Sequence, residues 1–140
     1  MSFLLDTNVI SELRKGSRID AGVLKWSGGT LPQAQYTSVI VIGELRRGVE
    51  RKRLSDPTQA AVLERWLEKS ILHFEGRILA IDQQVAAVWG RMGIPNPVPV
   101  IDGLIAATAK VHDLTVVTRD KAILAMKDVK SINPFINDGL

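Results

Sequence analysis

The stretch that decides the fold is residues 3–10, Phe-Leu-Leu-Asp-Thr-Asn-Val-Ile, close to the start of the chain. Its first three residues form a short apolar run, which predicts a buried β-strand. Asp6, Thr7 and Asn8 are residue types that cap helices, so a helix is predicted to begin here and to run to about Arg14. The stretch therefore predicts a strand that passes directly into a helix, with a carboxylate at the end of the strand.

The same alternation of strand and helix continues along the chain. Further strands are predicted at residues 35–38, 77–81, 115–118 and 129–132, and further helices at about 20–26, 39–53, 57–74, 82–92, 100–112 and 121–126. Strands separated by helices imply right-handed crossovers and a parallel sheet. The predicted fold class is α/β, a three-layer α/β/α arrangement with a central, mostly parallel sheet of about five strands. We expect a single domain spanning residues 1–140.

The composition is that of an ordinary folded protein. Of 140 residues, 46% are hydrophobic and 24% are charged, and cysteine is absent, which excludes disulfides and thiolate metal sites. No signal peptide is evident at the start, and no stretch approaches the roughly 20 apolar residues that span a bilayer. These features predict a cytoplasmic protein with no membrane association.

The net charge of +3 indicates a mildly basic surface. Such a surface around an acidic pocket suits a polyanionic substrate that is held by its phosphates. Many soluble proteins are equally basic, so the charge alone favours nucleic acid only slightly.

Four acidic residues follow strand-like segments or stand at the beginning of helices: Asp6, Glu44, Asp102 and Asp120. Each has an ordinary explanation when it is taken alone. Asp6 and Asp120 would serve as helix caps, Asp102 would interact favourably with a helix dipole, and Glu44 would lie on an exposed face. The carboxyl ends of parallel strands meet at one edge of a sheet, however, so all four are expected to converge there.

Four carboxylates in one pocket repel each other unless a cation lies between them. The predicted donors are all oxygen atoms, with no cysteine and only two histidines in the chain. This donor set favours Mg²⁺ or Mn²⁺ over zinc.

Four segments together resemble PIN-domain ribonucleases, and in particular the VapC-like toxins of bacterial toxin–antitoxin pairs. They are residues 4–12, 38–48, 102–109 and 116–120, and their order and spacing match the family along essentially the whole chain. The resemblance implies a PIN-like fold and a Mg²⁺- or Mn²⁺-dependent endonuclease that cleaves single-stranded RNA. It also implies a homodimer and inhibition by a cognate antitoxin.

The resemblance assigns roles by position. Asp6 and Asp102 resemble the principal metal ligands, and Glu44 and Asp120 the other two acids of the pocket. Asn8 and Thr118 resemble the supporting polar residues. Many relatives have Asn directly after the Thr-Arg pair, whereas here Asp120 stands there, so both the ligand role and the helix-cap role stay open for Asp120.

A bound metal ion would polarise a phosphodiester oxygen and activate a water molecule. Whether one ion or two are held is not decided by the sequence.

A basic run begins one turn after Glu44 and contains Arg46, Arg47, Arg51, Lys52 and Arg53. We predict that Arg46, Arg47 and Arg51 bind RNA phosphates, and the alternative is a solvated helix face.

Two other functions use similar residues. A Mg²⁺-dependent phosphoryl-transfer or receiver-type domain needs paired acids at the end of the first strand, where this chain has Asp6 followed by Thr7 and Asn8. A catalytically silent RNA-binding module would keep the same fold. The intact set of four acids argues against this module only weakly.

Overall fold

The structure is a computed structural model that describes residues 1–136. Its five strands are β1 (Phe3–Leu5), β2 (Gln35–Ser38), β3 (Ile78–Leu79), β4 (Thr115–Val117) and β5 (Ser131–Ile132). All of them are parallel and form one sheet in the order β3-β2-β1-β4-β5. The predicted α/β fold with a parallel sheet of about five strands is confirmed. The predicted single domain extends to residue 140, and its last four residues lie outside the described part of the chain.

Seven α-helices connect and flank the described strands. They are α1 (Thr7–Leu13), α2 (Ala21–Gly28), α3 (Val39–Ser55), α4 (Pro57–His73), α5 (Gln83–Arg91), α6 (Val100–Val111) and α7 (Lys121–Leu124). Short 3₁₀ turns at Gly16–Arg18 and Pro32–Ala34 were not expected from the sequence. Within residues 1–136, no helix is long and apolar enough to cross a membrane.

The outer strands are shorter than predicted. Only residues 78–79 of the expected strand at 77–81 pair with a neighbour, and only 131–132 of the expected 129–132. Both strands lie at the edges of the sheet and have a partner on one side only. An edge strand receives half the ladder hydrogen bonds of a central strand, so its regular portion ends sooner.

The central strands form the core of the molecule. Leu4 and Leu5 of β1 and Val116 and Val117 of β4 have no solvent exposure. Helices cover both faces of a parallel sheet, which explains why these strands read as continuous apolar runs rather than alternating ones. The strands β1 and β4 pair in register, with Leu4 opposite Val116.

The strand order decides where a ligand can bind. From β1 the chain winds outward through β2 to β3, and it then returns to place β4 on the other side of β1. The boundary between β1 and β4 is therefore the topological switch point, where open α/β sheets bind ligands beyond the carboxyl ends of their strands. Asp6 follows β1 and Thr118 follows β4, so both residues lie at this point.

The last described residues pack against the beginning of α2. The backbone N–H of Ile136 donates to Oδ1 of Asp20 at 3.1 Å. A Cβ atom added to Gly22 would lie only 2.1 Å from the carbonyl oxygen of Pro134. This close approach explains why the second residue of α2 has no side chain.

Candidate active site

Asp6 lies at the centre of the site and is almost fully buried, with 4% of its surface exposed. It is the N-cap of α1, and its Oδ1 accepts a hydrogen bond from the backbone N–H of Thr7 at 2.8 Å. Its Oδ2 accepts from the Thr118 hydroxyl at 2.7 Å and from Nδ2 of Asn8 at 3.4 Å. Asp6 is thus a helix cap and a fixed acid of the pocket at the same time.

The Thr118 hydroxyl connects several segments of the site. It donates to Asp6 and accepts from Nδ2 of Asn8 at 3.1 Å and from the backbone N–H of Asp120 at 2.9 Å. One donated and two accepted bonds are all that a hydroxyl can form. The other end of the Asn8 amide accepts from the backbone N–H of Arg119 at 3.2 Å. Asn8 and Thr118 therefore hold the ends of β1 and β4 together.

Glu44 reaches the same pocket from the second turn of α3. Its Oε1 accepts a hydrogen bond from the Thr7 hydroxyl at 2.6 Å. The sequence suggested only a capping role for Thr7, and the contact with Glu44 was missed. The available signal was a hydroxyl residue directly after Asp6, pointing from the first turn of α1 toward the site.

Asp120 has the helix-cap role that the sequence left open, and its role as a metal ligand stays a prediction. Its Oδ1 accepts from the backbone N–H of Ala122 at 2.8 Å and caps α7. The charge of Asp120 also acts on Asp102, which lies in the first turn of α6, and helps to raise the pKa of that carboxyl. The cap orients Asp120 without removing it from the group of acids.

The electrostatics show that the four carboxylates influence each other. Burial, followed by the charge and hydrogen bond of Asp120 and the charges of Asp6 and Glu44, raises the pKa of Asp102 to about 6. Burial also raises the pKa of Asp6, an effect that the hydrogen bonds from Thr118 and Thr7 oppose. Neighbouring negative charge and lost solvation favour the protonated acid. A cation in the pocket would relieve the same repulsion.

The donor chemistry fits a small divalent cation. Mg²⁺ takes oxygen ligands, keeps several water molecules and often binds through only one or two carboxylates. Among residues 1–136, no group of three or more His, Asp or Glu side chains is arranged to hold a metal ion. Asp6 and Asp102 could hold one as a pair, with water completing the coordination.

A helix-packing contact supports the position of Asp102. A Cβ atom added to Gly103 would lie 3.0 Å from Cγ2 of Val98 and 3.1 Å from the Trp89 ring. The absent side chain lets α6 approach α5 and the loop before α6 closely. This contact fixes the first turn of α6, which carries Asp102, against α5.

The four arginines of the basic run on α3 divide into two groups. Nη1 of Arg46 forms an ion pair with Oε1 of Glu64 on α4 at 2.8 Å. Arg53 pairs with Glu50 at 3.0 Å and with Glu64 at 3.3 Å. Arg47 and Arg51, by contrast, are exposed, and the part of the chain that the structure describes contains no ion pair to either.

Comparison with known proteins gives a consistent result. The sequence model of one family, the PIN domain, matches residues 3–129. Toxin FitB of Neisseria gonorrhoeae is 40% identical over 138 residues, which cover 94% of this chain and 97% of that protein. The VapC ribonuclease Y4jK of Sinorhizobium fredii is 31% identical over 138 residues, covering 94% and 96%. In the crystal structure of FitAcB from Neisseria gonorrhoeae, one chain superimposes with a TM-score of 0.82 at 39% identity, covering 94% and 97%.

Proposed function

Because this chain belongs to the PIN-domain family, we propose that it is a metal-dependent endoribonuclease that cleaves single-stranded RNA and acts as the toxin of a toxin–antitoxin pair. The observation that carries the proposal is the position of the buried Asp6 at the switch point between β1 and β4, where Thr118 holds it and its charge acts on Asp102. The likeness to proteins named as a toxin and as a VapC ribonuclease supports it.

Each acid has a distinct part in the proposed reaction. Asp6 and Asp102 would hold Mg²⁺ or Mn²⁺, and the bound ion would supply positive charge to the phosphodiester and activate water. Glu44, anchored by the Thr7 hydroxyl, would orient the attacking water and accept its proton. As the water oxygen bonds to phosphorus, the bond from phosphorus to the leaving ribose oxygen would break, and that oxygen would take a proton from solvent water. Asp120 stays beside Asp102 and maintains the negative charge that attracts the cation.

The supporting residues act by holding Asp6 in one orientation. Thr118 and Asn8 direct their hydrogen-bond donors at Oδ2 of Asp6, while the Thr7 backbone occupies one lone pair of Oδ1. A fixed carboxylate loses little freedom when it binds a ligand, which favours a defined geometry at the reacting phosphate.

We assign the RNA phosphates to the basic side of α3, with Arg46, Arg47 and Arg51 as the proposed contacts. Arg47 and Arg51 are available because they are exposed. Arg46 would have to share its charge with Glu64, so its contribution is expected to be the smallest of the three.

The proposed partners follow from the family. A cognate antitoxin is expected to inhibit the enzyme, and the active form is proposed to be a homodimer. Both are tested by looking for a small reading frame beside the gene and co-expressing its product, and by measuring the mass of the protein in solution with and without that product.

The decisive experiment is an RNA cleavage assay. Purified protein is incubated with single-stranded RNA and Mn²⁺, with and without excess EDTA, beside D6N purified in the same way. We expect the parent protein to cut only when Mn²⁺ is free, and D6N to lose at least 100-fold in rate while its unfolding transition is preserved. A D6N protein that cuts as fast as the parent would exclude the proposed site. A parent that binds RNA without cutting it would indicate the silent module.

A further inference from the structure

One exposed face of α3 runs from the acid cluster toward the far end of the helix. Glu44, Arg47, Gly48 and Arg51 are all exposed and lie on this face, because they are separated by three, four or seven residues. Val41, Leu45 and Val49 are buried and lie on the neighbouring face of the helix. We call the four exposed residues the α3 stripe.

The stripe begins inside the proposed active site. Glu44 is held there by its 2.6 Å hydrogen bond from the Thr7 hydroxyl. With a rise of about 1.5 Å per residue, Arg47 and Arg51 lie about 4.5 and 10.5 Å farther along the helix axis. These two guanidinium groups therefore follow the site outward, one helical turn apart.

The charges of the stripe are available to a ligand. The other two arginines of α3 turn toward α4, where Arg46 and Arg53 both contact Glu64. Within residues 1–136, no such ion pair is formed by Arg47 or Arg51. A guanidinium that already has a carboxylate partner gains little from a phosphate, whereas an unpaired one gains the full attraction.

The shape of the stripe also suits an extended chain. Gly48 lies between the two arginines, and a Cβ atom added there would meet nothing within 4 Å. A ligand can therefore approach the helix closely between the two charges. No aromatic or amide side chain occurs in α3, so the stripe offers nothing that stacks on bases or reads their edges.

We propose that Arg47 and Arg51 bind two backbone phosphates of single-stranded RNA beyond the scissile bond, independently of base sequence. This inference rests on the proposed function, because it takes the acid cluster as the place where the strand is cut. The regular spacing of two point charges along a straight line matches a flexible single strand that can follow the helix. Base selection must then come from residues outside α3.

The experiment measures RNA affinity against salt concentration, in EDTA so that no strand is cut. A fluorescently labelled single-stranded RNA is titrated with the parent, with R47Q/R51Q and with R65Q/R91Q. The last variant removes the same charge from two exposed arginines on α4 and α5. Each phosphate contact on a single strand contributes about 0.7 to the slope of log affinity against log salt, so R47Q/R51Q should lower that slope by about 1.4. R65Q/R91Q should retain the parent slope.

An unchanged slope for R47Q/R51Q, or an equal fall for both double variants, would overturn the proposal. An equal loss of affinity for double-stranded DNA would overturn the assignment to single strands. If R47Q/R51Q does not fold, R51Q alone should lower the slope by about 0.7. The cleavage assay with Mn²⁺ separates the two proposals, because a parent that binds through the stripe but never cuts refutes only the nuclease. If the parent cuts RNA but R47Q/R51Q has the same slope of log affinity against log salt as the parent, only the proposal for the α3 stripe is refuted.

Discussion

The hydroxyl of Thr118 donates a 2.7 Å hydrogen bond to Oδ2 of Asp6, although the two residues are 112 positions apart in the chain. The bond joins the carboxyl ends of β1 and β4 at the switch point of the sheet. It is also the largest of the interactions that oppose the rise in the pKa of Asp6. One hydroxyl thus contributes to the architecture and to the charge state of the site.

Replacing Thr118 with valine tests this relationship. T118V keeps the shape of the side chain but removes one of the three donors to the buried Asp6 carboxylate, which typically costs about 2 kcal/mol of unfolding free energy. The pKa of Asp6 should rise further, so the acidic limb of the pH–activity profile should move to higher pH. Urea unfolding and a pH–rate profile measure the two effects.

The control for T118V is T108V. Thr108 is also fully buried, but its hydroxyl donates to the carbonyl oxygen of Leu104 within α6. T108V should leave the pH–activity profile in place. A T118V profile that coincides with that of the parent would show that the hydroxyl does not control the protonation of Asp6.

The raised pKa of Asp102 makes a prediction about stability. The folded protein retains the Asp102 proton up to about pH 6, whereas the unfolded chain releases it near the usual value of 3.8. The folded state therefore binds more protons between these values, and the contribution of Asp102 to stability falls as the pH rises through this window. D102N removes that loss, so its Tm should exceed the parent Tm at pH 7 by a few degrees and approach it at pH 4.

Thermal unfolding from pH 4 to pH 7 measures this difference. E68Q is a suitable control, because Glu68 is exposed on α4. This substitution removes one negative charge at a position away from the site. Its Tm should follow the parent at every pH. A constant difference between D102N and the parent across the whole range would contradict a shifted pKa at this position.

Two glycines of α2 provide a matched test of how the end of the chain packs. A Cβ atom at Gly22 would lie 2.1 Å from the Pro134 carbonyl oxygen, whereas one at Gly28 would meet nothing within 4 Å. G22A should therefore lose about 1–3 kcal/mol through overpacking. G28A should be neutral or gain up to about 1 kcal/mol from helix propensity. Urea unfolding of both variants measures the difference in their free energies of unfolding. Equal values would mean that residues 133–136 move aside without cost.

Much of the fold was predictable because the relevant signals are local. The apolar run of residues 3–5 and the capping residues after it predicted β1 and α1, and both were confirmed within one residue. Asp56 and Pro57 predicted the beginning of α4 in the same way. The edge strands were predicted too long, because the length of a ladder depends on the neighbour and not on the strand's own residues.

The candidate site was predictable only in part. A carboxylate inside an apolar segment is visible in the sequence, so Asp6, Glu44, Asp102 and Asp120 could all be proposed as site residues. Their contacts were not visible, because a hydrogen bond depends on distance in space. The bond from Thr7 to Glu44 and the ion pair from Arg46 to Glu64 join residues on different helices.

The sequence by itself determined the alternation of strands and helices and the acids at their ends, since periodicity and capping act over a few residues. Only the tertiary structure decided that β4 lies beside β1, which brings Thr118 onto Asp6 and Asp120 onto Asp102. It also decided which arginines of α3 are paired and which remain exposed. The physical reason is that strand order and helix packing set distances between residues that are remote in the chain, and electrostatic interactions depend on those distances.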